Sequence, residues 1–278
     1  MAWADDPRLR RVMHTFHHPT NPGGEPPSLT MEDVFAAMDR SDVAAGVLVA
    51  KVYYPSTAER LGRLHDELAE VSRRSAGRLK WVATVLPPPH GAGSYWDLME
   101  NPRIIEGLKD VPGLVGVHIT PSPWGLAPND RWYYPLYTRC VDLELKLFTY
   151  VGAPGPLWPM EPNNPRHLDD IALAFPDLGI VAHHIGDPWT DIMIRLAARH
   201  ANIMICTSAW HPKTYPHELL AFMKGRWHGT PGCERVMFAS DFPLLDLDKT
   251  VTAARAMDLS ADQLRNVLHD NARQWLFG

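Results

Sequence analysis

Short apolar runs recur along the chain and alternate with stretches of helical period. The runs cover residues 45–50, 79–86, 114–120, 145–151, 178–184, 202–206 and 235–240, and most are followed within three residues by Gly or Pro. Apolar runs of this length between turn signals read as strands buried on both faces. Between them lie predicted helices. Thr30 caps one that opens on Glu32 and Asp33 and runs to about Arg40. Leu61, Leu64, Leu68 and Val71 place an apolar stripe on a second, over residues 56–75. Further helices are predicted over 95–109, 134–143, 167–175, after Gly186-Asp187-Pro188, and over 217–224 and 247–257. Ser260 caps the last, with Gln263 at the capping-box position.

Seven strand–helix units follow one another in this pattern. Strict alternation of strand and helix calls for a parallel sheet. The expected fold is α/β, a (β/α)8 TIM-type barrel over residues 1–278 as one domain, with strand one atypical or missing. Residues 1–29 are a Pro/Gly-rich irregular segment, in which residues 8–16 form either a short helix or a strand. No glycine-rich phosphate loop follows an early strand, which argues against a dinucleotide fold or a P-loop.

Composition narrows the function. The chain has 278 residues, 45% hydrophobic and 21% charged, with a net charge of -5. This gives no electrostatic case for nucleic acid or an anionic membrane. Cys140, Cys206 and Cys233 lie far apart without metal-ligand spacing, and a cytoplasmic location is expected from them and from an N-terminus unlike a signal peptide. The 26 prolines cluster after the apolar runs, as expected of loops that leave one face of a sheet.

That face is where a barrel keeps its chemistry. It gathers Lys51, Thr84, His118 or Thr120, Tyr150, His183 or His184, Thr207 or Ser208, and Asp241. Asp241 is the most telling, a carboxylate at a strand end in Phe238-Ala239-Ser240-Asp241-Phe242-Pro243. Adjacent strand residues point to opposite faces, so one of His183 and His184 is expected inside the barrel, and His184 is taken as that one. An Asp and a His converging on one pocket either hold a divalent ion or work as an acid/base pair. Lys51, His118, Tyr150 and Trp210 are candidates for substrate binding. Trp124, Trp132, Trp158 and Trp189 join Trp210 as a candidate aromatic wall, packing between loops and helices being the alternative.

The stretch from Phe175 to Trp189, with its His183-His184, the segment Asn202 to Pro212, the Ser240-Asp241-Phe242-Pro243 turn and Asp270-Asn271-Ala272-Arg273 together carry a resemblance. The sequence is similar to the amidohydrolase-related group of metal-dependent-hydrolase barrels. That group includes aromatic-acid decarboxylases, aminocarboxymuconate-semialdehyde decarboxylase and pyrone-dicarboxylate lactonase. The resemblance implies that His184 closes the sixth barrel strand and Asp241 the eighth, where the aspartate binds metal or moves a proton. The chain also departs from the group. It has no His-x-His at a first strand, and its fifth strand ends in Thr149-Tyr150-Val151-Gly152 with no histidine. His14 and His18 would lie about 13 Å apart along a strand, too far to share one ion.

The expected cofactor is therefore none. Zinc or another divalent ion held by His184 and Asp241 is the alternative. The expected function is a metal-independent hydrolase of a small carboxylated or lactone-type substrate. Non-oxidative decarboxylation of an aromatic or enoic acid is the second reading, and a barrel that only binds a small molecule or a partner is the third. The resemblance also implies a homodimer, with residues 121–134 and 152–166 as its contact loops.

Overall fold

Successive strand residues point to opposite faces, so a strand covered on both sides needs apolar side chains throughout. In the computed structural model, which describes residues 29–50, 57–88, 97–155, 158–227 and 229–278, the predicted runs become such strands. They are β1 (Gly46–Val49), β2 (Leu79–Thr84), β3 (Leu114–Ile119), β4 (Lys146–Tyr150), β5 (Ile180–His183) and β6 (Ile203–Cys206). A small antiparallel ribbon, β7 (Arg226–Trp227) with β8 (Thr230–Pro231), precedes the last sheet strand, β9 (Val236–Met237). The main sheet has the order β1-β2-β3-β4-β5-β6-β9, every neighbour parallel.

Helices fill the connections. They include α1 (Met31–Arg40), α2 (Ala58–Arg74), α3 (Glu100–Glu106), α4 (Pro121–Trp124), α5 (Tyr134–Asp142), α6 (His167–Ala174), α7 (Thr190–Arg199), α8 (His217–Lys224), α9 (Leu247–Arg255) and α10 (Ala261–Arg265). The fold is of the (β/α)8 barrel type. The stretch before Thr30, where strand one was expected to be atypical or missing, lies outside the described residues up to residue 28.

The register sorts the strand residues into two layers. Val117, Leu147, Ile180, Ala182, Ile203, Ile205 and Val236 face outward and pack with the helices into the larger core. Val82, Phe148, Val181, Met204, Cys206 and Met237 face inward and form a second cluster. Gly116 makes room for it, because a Cβ there would stand 2.5 Å from both the Lys146 carbonyl oxygen and the Phe148 ring. At the end away from the strand carboxyl termini, Leu276 joins this cluster, with Trp275 and Phe277 packed against it. Asn271, from the Asp270-Asn271-Ala272-Arg273 motif, anchors that closing segment. Its amide nitrogen donates to the carbonyls of Cys233 and Val236, each at 2.7 Å.

Local signals behave as chemistry predicts. Thr30 and Ser260 form capping boxes with Asp33 and Gln263. The main departure is the last strand. The sequence suggests six residues, 235–240, yet only Val236–Met237 pair in the sheet. Beyond them the backbone leaves the ladder: the Phe238 N–H donates to the Val267 carbonyl (2.9 Å) and the Ala239 N–H to Thr207 Oγ1 (3.1 Å). The predicted helix over 95–109 shortens to α3; its first part lies outside the described residues.

Candidate active site

β4, β5, β6 and β9 are consecutive in the sheet, and the candidate residues lie at or just beyond their carboxyl ends. Tyr150, His183, Cys206 and Met237 share one inward layer. His118 lies one layer deeper, in register with Phe148. The expected division of the two histidines is corrected here. His183 is the inward residue by strand parity, with its ring 5.9 Å from Tyr150 and 5.8 Å from His118. His184 nevertheless reaches the same group, its ring centroid 4.6 Å from that of Tyr150.

The backbone explains how both get there. β5 ends at His183, and His184, Ile185 and Gly186 all take left-handed backbone, with φ of 72°, 56° and 85°. Alternation across the sheet stops where the strand stops. Left-handed backbone is costly for a residue with a Cβ, and such residues cluster at functional sites. Gly152, after β4, is required by the same turn, because a Cβ on it would stand 2.4 Å from the Asp187 carbonyl oxygen.

The proton arrangement of His184 follows from its neighbour. Nδ1 is 2.9 Å from the Ser208 carbonyl oxygen, with Ser208 Oγ at 3.2 Å. A carbonyl only accepts, so Nδ1 carries the proton and Nε2 of the neutral ring is the acceptor.

Asp241 lies beyond β9, also in left-handed backbone, with φ of 56°. It is close enough for its charge to act on the thiol of Cys206. That thiol is pushed up to about 11, chiefly by burial, with the Asp241 charge adding to the rise and Ser208 opposing it. His184 and Asp241 thus flank the end of β6 from the two neighbouring strands.

The other candidates divide. His118 and Tyr150 are buried in the ring group, T-shaped at 5.0 Å between centroids. Trp210 packs against the outer core between sheet and helices, and Trp124 is buried in that core. Lys51 lies outside the described residues. Of the pair His183 and His184, both named from the sequence, the inward residue by parity is His183. Its parity with Val181 carries the signal, but only once the strand's frame is known.

Among the described residues no three His, Cys, Asp or Glu side chains are grouped to hold a metal ion. Tyr150 ends β4, its ring packed on His184. His184 and Asp241 alone do not make a complete donor set, so the described residues do not fit a metal centre by themselves. A third donor would have to come from elsewhere, and His14, His17 and His18 lie outside the described residues.

The comparisons with known proteins bear on the family and the fold. The family model described as Amidohydrolase matches residues 5–278, so the chain belongs to that family. No curated protein matches it. Several solved structures share the fold. The 5-carboxyvanillate decarboxylase of Sphingomonas paucimobilis has 20% identity and a TM-score of 0.72 over 98% of this chain and 92% of its own. The 5-carboxyvanillate decarboxylase of Novosphingobium aromaticivorans, complexed with manganese and 4-hydroxy-3-methoxy-5-nitrobenzoic acid, has 19% identity and a TM-score of 0.69 over 100% and 85%. The 2,6-dihydroxybenzoate decarboxylase from Rhizobium has 17% identity and a TM-score of 0.68 over 90% and 88%.

Proposed function

We propose that this amidohydrolase-family chain is a non-oxidative decarboxylase of a small hydroxylated aromatic acid, with Asp241 as proton donor and His184 as its partner. The observation that carries this reading is the convergence of Asp241 and His184 on the end of β6, above an inward layer of rings and apolar side chains. Three structural neighbours that act as aromatic-acid decarboxylases favour the lyase over the hydrolase expected first.

The chemistry uses few groups. A hydroxyl ortho to the carboxylate feeds electron density to the carbon that bears it. His184, its Nε2 kept as an acceptor by the Nδ1 bond to Ser208, takes a hydrogen bond from that hydroxyl and strengthens the effect. Protonated Asp241 gives its proton to the ring carbon. The carbon–carbon bond then breaks, its electrons return to the ring, and neutral carbon dioxide leaves. Water returns a proton to Asp241.

Phe148, Val181, Met204 and Met237 supply an apolar floor suited to a flat ring. A carboxylate is poorly solvated against such a floor, and its departure as carbon dioxide relieves that penalty. Tyr150 and His118 flank the ring, and Lys51 is assigned to the carboxylate.

The test is carbon dioxide release from 2,6-dihydroxybenzoate and 5-carboxyvanillate by the wild-type chain and Asp241→Asn, with and without a chelator. Release by the wild type, a loss of about 100-fold or more in the variant, and indifference to the chelator are expected. Ring opening or ester cleavage without gas would return the assignment to hydrolysis. Activity lost on chelation and restored by manganese would mean that a donor outside the described residues completes a metal centre.

A further inference from the structure

We propose that Thr207 is a positioning residue that sets Asp241 in place, and that the Thr207-Ser208 pair at the end of β6 presents both groups of the proposed reaction. This rests on the assignment of Asp241 and His184 made above. β6 lies between β5, which leads into His184, and β9, which leads into Asp241. β9 pairs with it only through Val236 and Met237, so the backbone ladder ends four residues before the aspartate.

Three bonds carry the connection past that point. The Thr207 N–H donates to the Met237 carbonyl at 3.1 Å. The Ala239 N–H donates to Thr207 Oγ1 at 3.1 Å, and that hydroxyl lies 3.4 Å from the Ala239 carbonyl oxygen. A side chain thus stands in for the missing rung of the ladder, two residues before Asp241. Thr207 is fully buried, so water does not compete for its hydroxyl. Tyr215, whose phenol burial pushes well above its usual value, packs beside it, with Thr207 opposing that rise.

On the other side the same end of β6, with Cys206 and Ser208, holds the residue that follows β5. The His184 N–H donates to the Cys206 carbonyl at 3.1 Å, and His184 Nδ1 donates to the Ser208 carbonyl at 2.9 Å. The last residues of β6 are thus bonded to the segments that carry the proposed acid and its partner. A displacement of the β6 end would move both groups relative to a bound ring, and misplacement by about 1 Å can cost about 100-fold in rate.

Thr207→Val keeps the shape and removes the hydroxyl; Thr207→Ser restores it. Carbon dioxide release and amide exchange at Ala239 are measured for the wild type and both variants. In Thr207→Val, kcat is expected to fall by up to about 100-fold with KM little changed, while Thr207→Ser recovers most of the loss. The Ala239 amide is expected to exchange faster in Thr207→Val and to stay protected in Thr207→Ser. An unchanged kcat in Thr207→Val, a change in KM alone, or a Thr207→Ser variant as impaired as Thr207→Val would overturn the proposal. If the wild-type chain released no carbon dioxide, the assignment of the reaction would fail instead. The Ala239 amide would then decide for Thr207, and equal protection in wild type and Thr207→Val would overturn its role.

Discussion

Single residues here do work that their type alone does not disclose. His65 in α2 is buried, and its Nε2 donates to the carbonyl of Thr84 at the end of β2 at 3.0 Å. Its Nδ1 is buried with no hydrogen-bond partner. Protonating that nitrogen would place a charge in the core, and burial accordingly holds His65 below the ordinary histidine value, against the pull of the Thr84 carbonyl. The sign of the pH effect follows. Above an unfolded-state value of about 6.5 both states are neutral and His65 contributes no pH dependence. As pH falls below that value the unfolded chain takes up a proton that the folded chain resists, and stability drops. His65→Gln is expected to flatten the wild-type decline in urea midpoint between about pH 6.5 and pH 5; parallel curves for the two proteins would contradict it. At Asp241 the backbone matters as much as the charge. Its φ of 56° is tolerated by Asn better than by most residues, so Asp241→Asn removes the acid without straining the turn.

At the scale of elements, the strand and helix order was legible because burial on both faces leaves a continuous apolar run. The ends were less legible, because they depend on partners far along the chain. β9 stops at Met237 since its next two N–H groups find Val267 and Thr207, about 30 residues away on either side. His184 was picked out by the resemblance and as the expected inward member of the pair. That both histidines of the pair reach one group could not be read, since the left-handed turn that ends the alternation is a property of residues 184–186 together. The Asp270-Asn271 motif was visible as a resemblance, and the structure supplies its physical reason. Asn271→Ala would leave two buried carbonyls without a donor and detach the closing segment from β9, for a loss of about 3 kcal/mol in unfolding free energy. A loss below about 0.5 kcal/mol, as at an ordinary surface site, would contradict that role.

For the whole molecule, the barrel separates stability from chemistry. One end is closed by Trp275, Leu276 and Phe277 against the inward cluster, while the strand carboxyl ends carry Tyr150, His183, His184, Ser208 and Asp241. An open cleft lined by Arg195, Arg199, Trp227 and Thr230 lies along α7 and the β7–β8 ribbon, on the helical side and away from those strand ends. It plays no part in the proposed reaction. The fold and the family leave hydrolysis and decarboxylation both open, and the fate of the carboxylate separates them. The decisive measurement is turnover of a carboxyl-labelled ortho-hydroxybenzoate in heavy water. The account predicts that the label leaves as carbon dioxide, that one deuterium stands on the vacated ring carbon, and that Asp241→Asn yields neither. A product that keeps its labelled carboxyl and has gained one water, or an Asp241→Asn variant as fast as wild type, would contradict it.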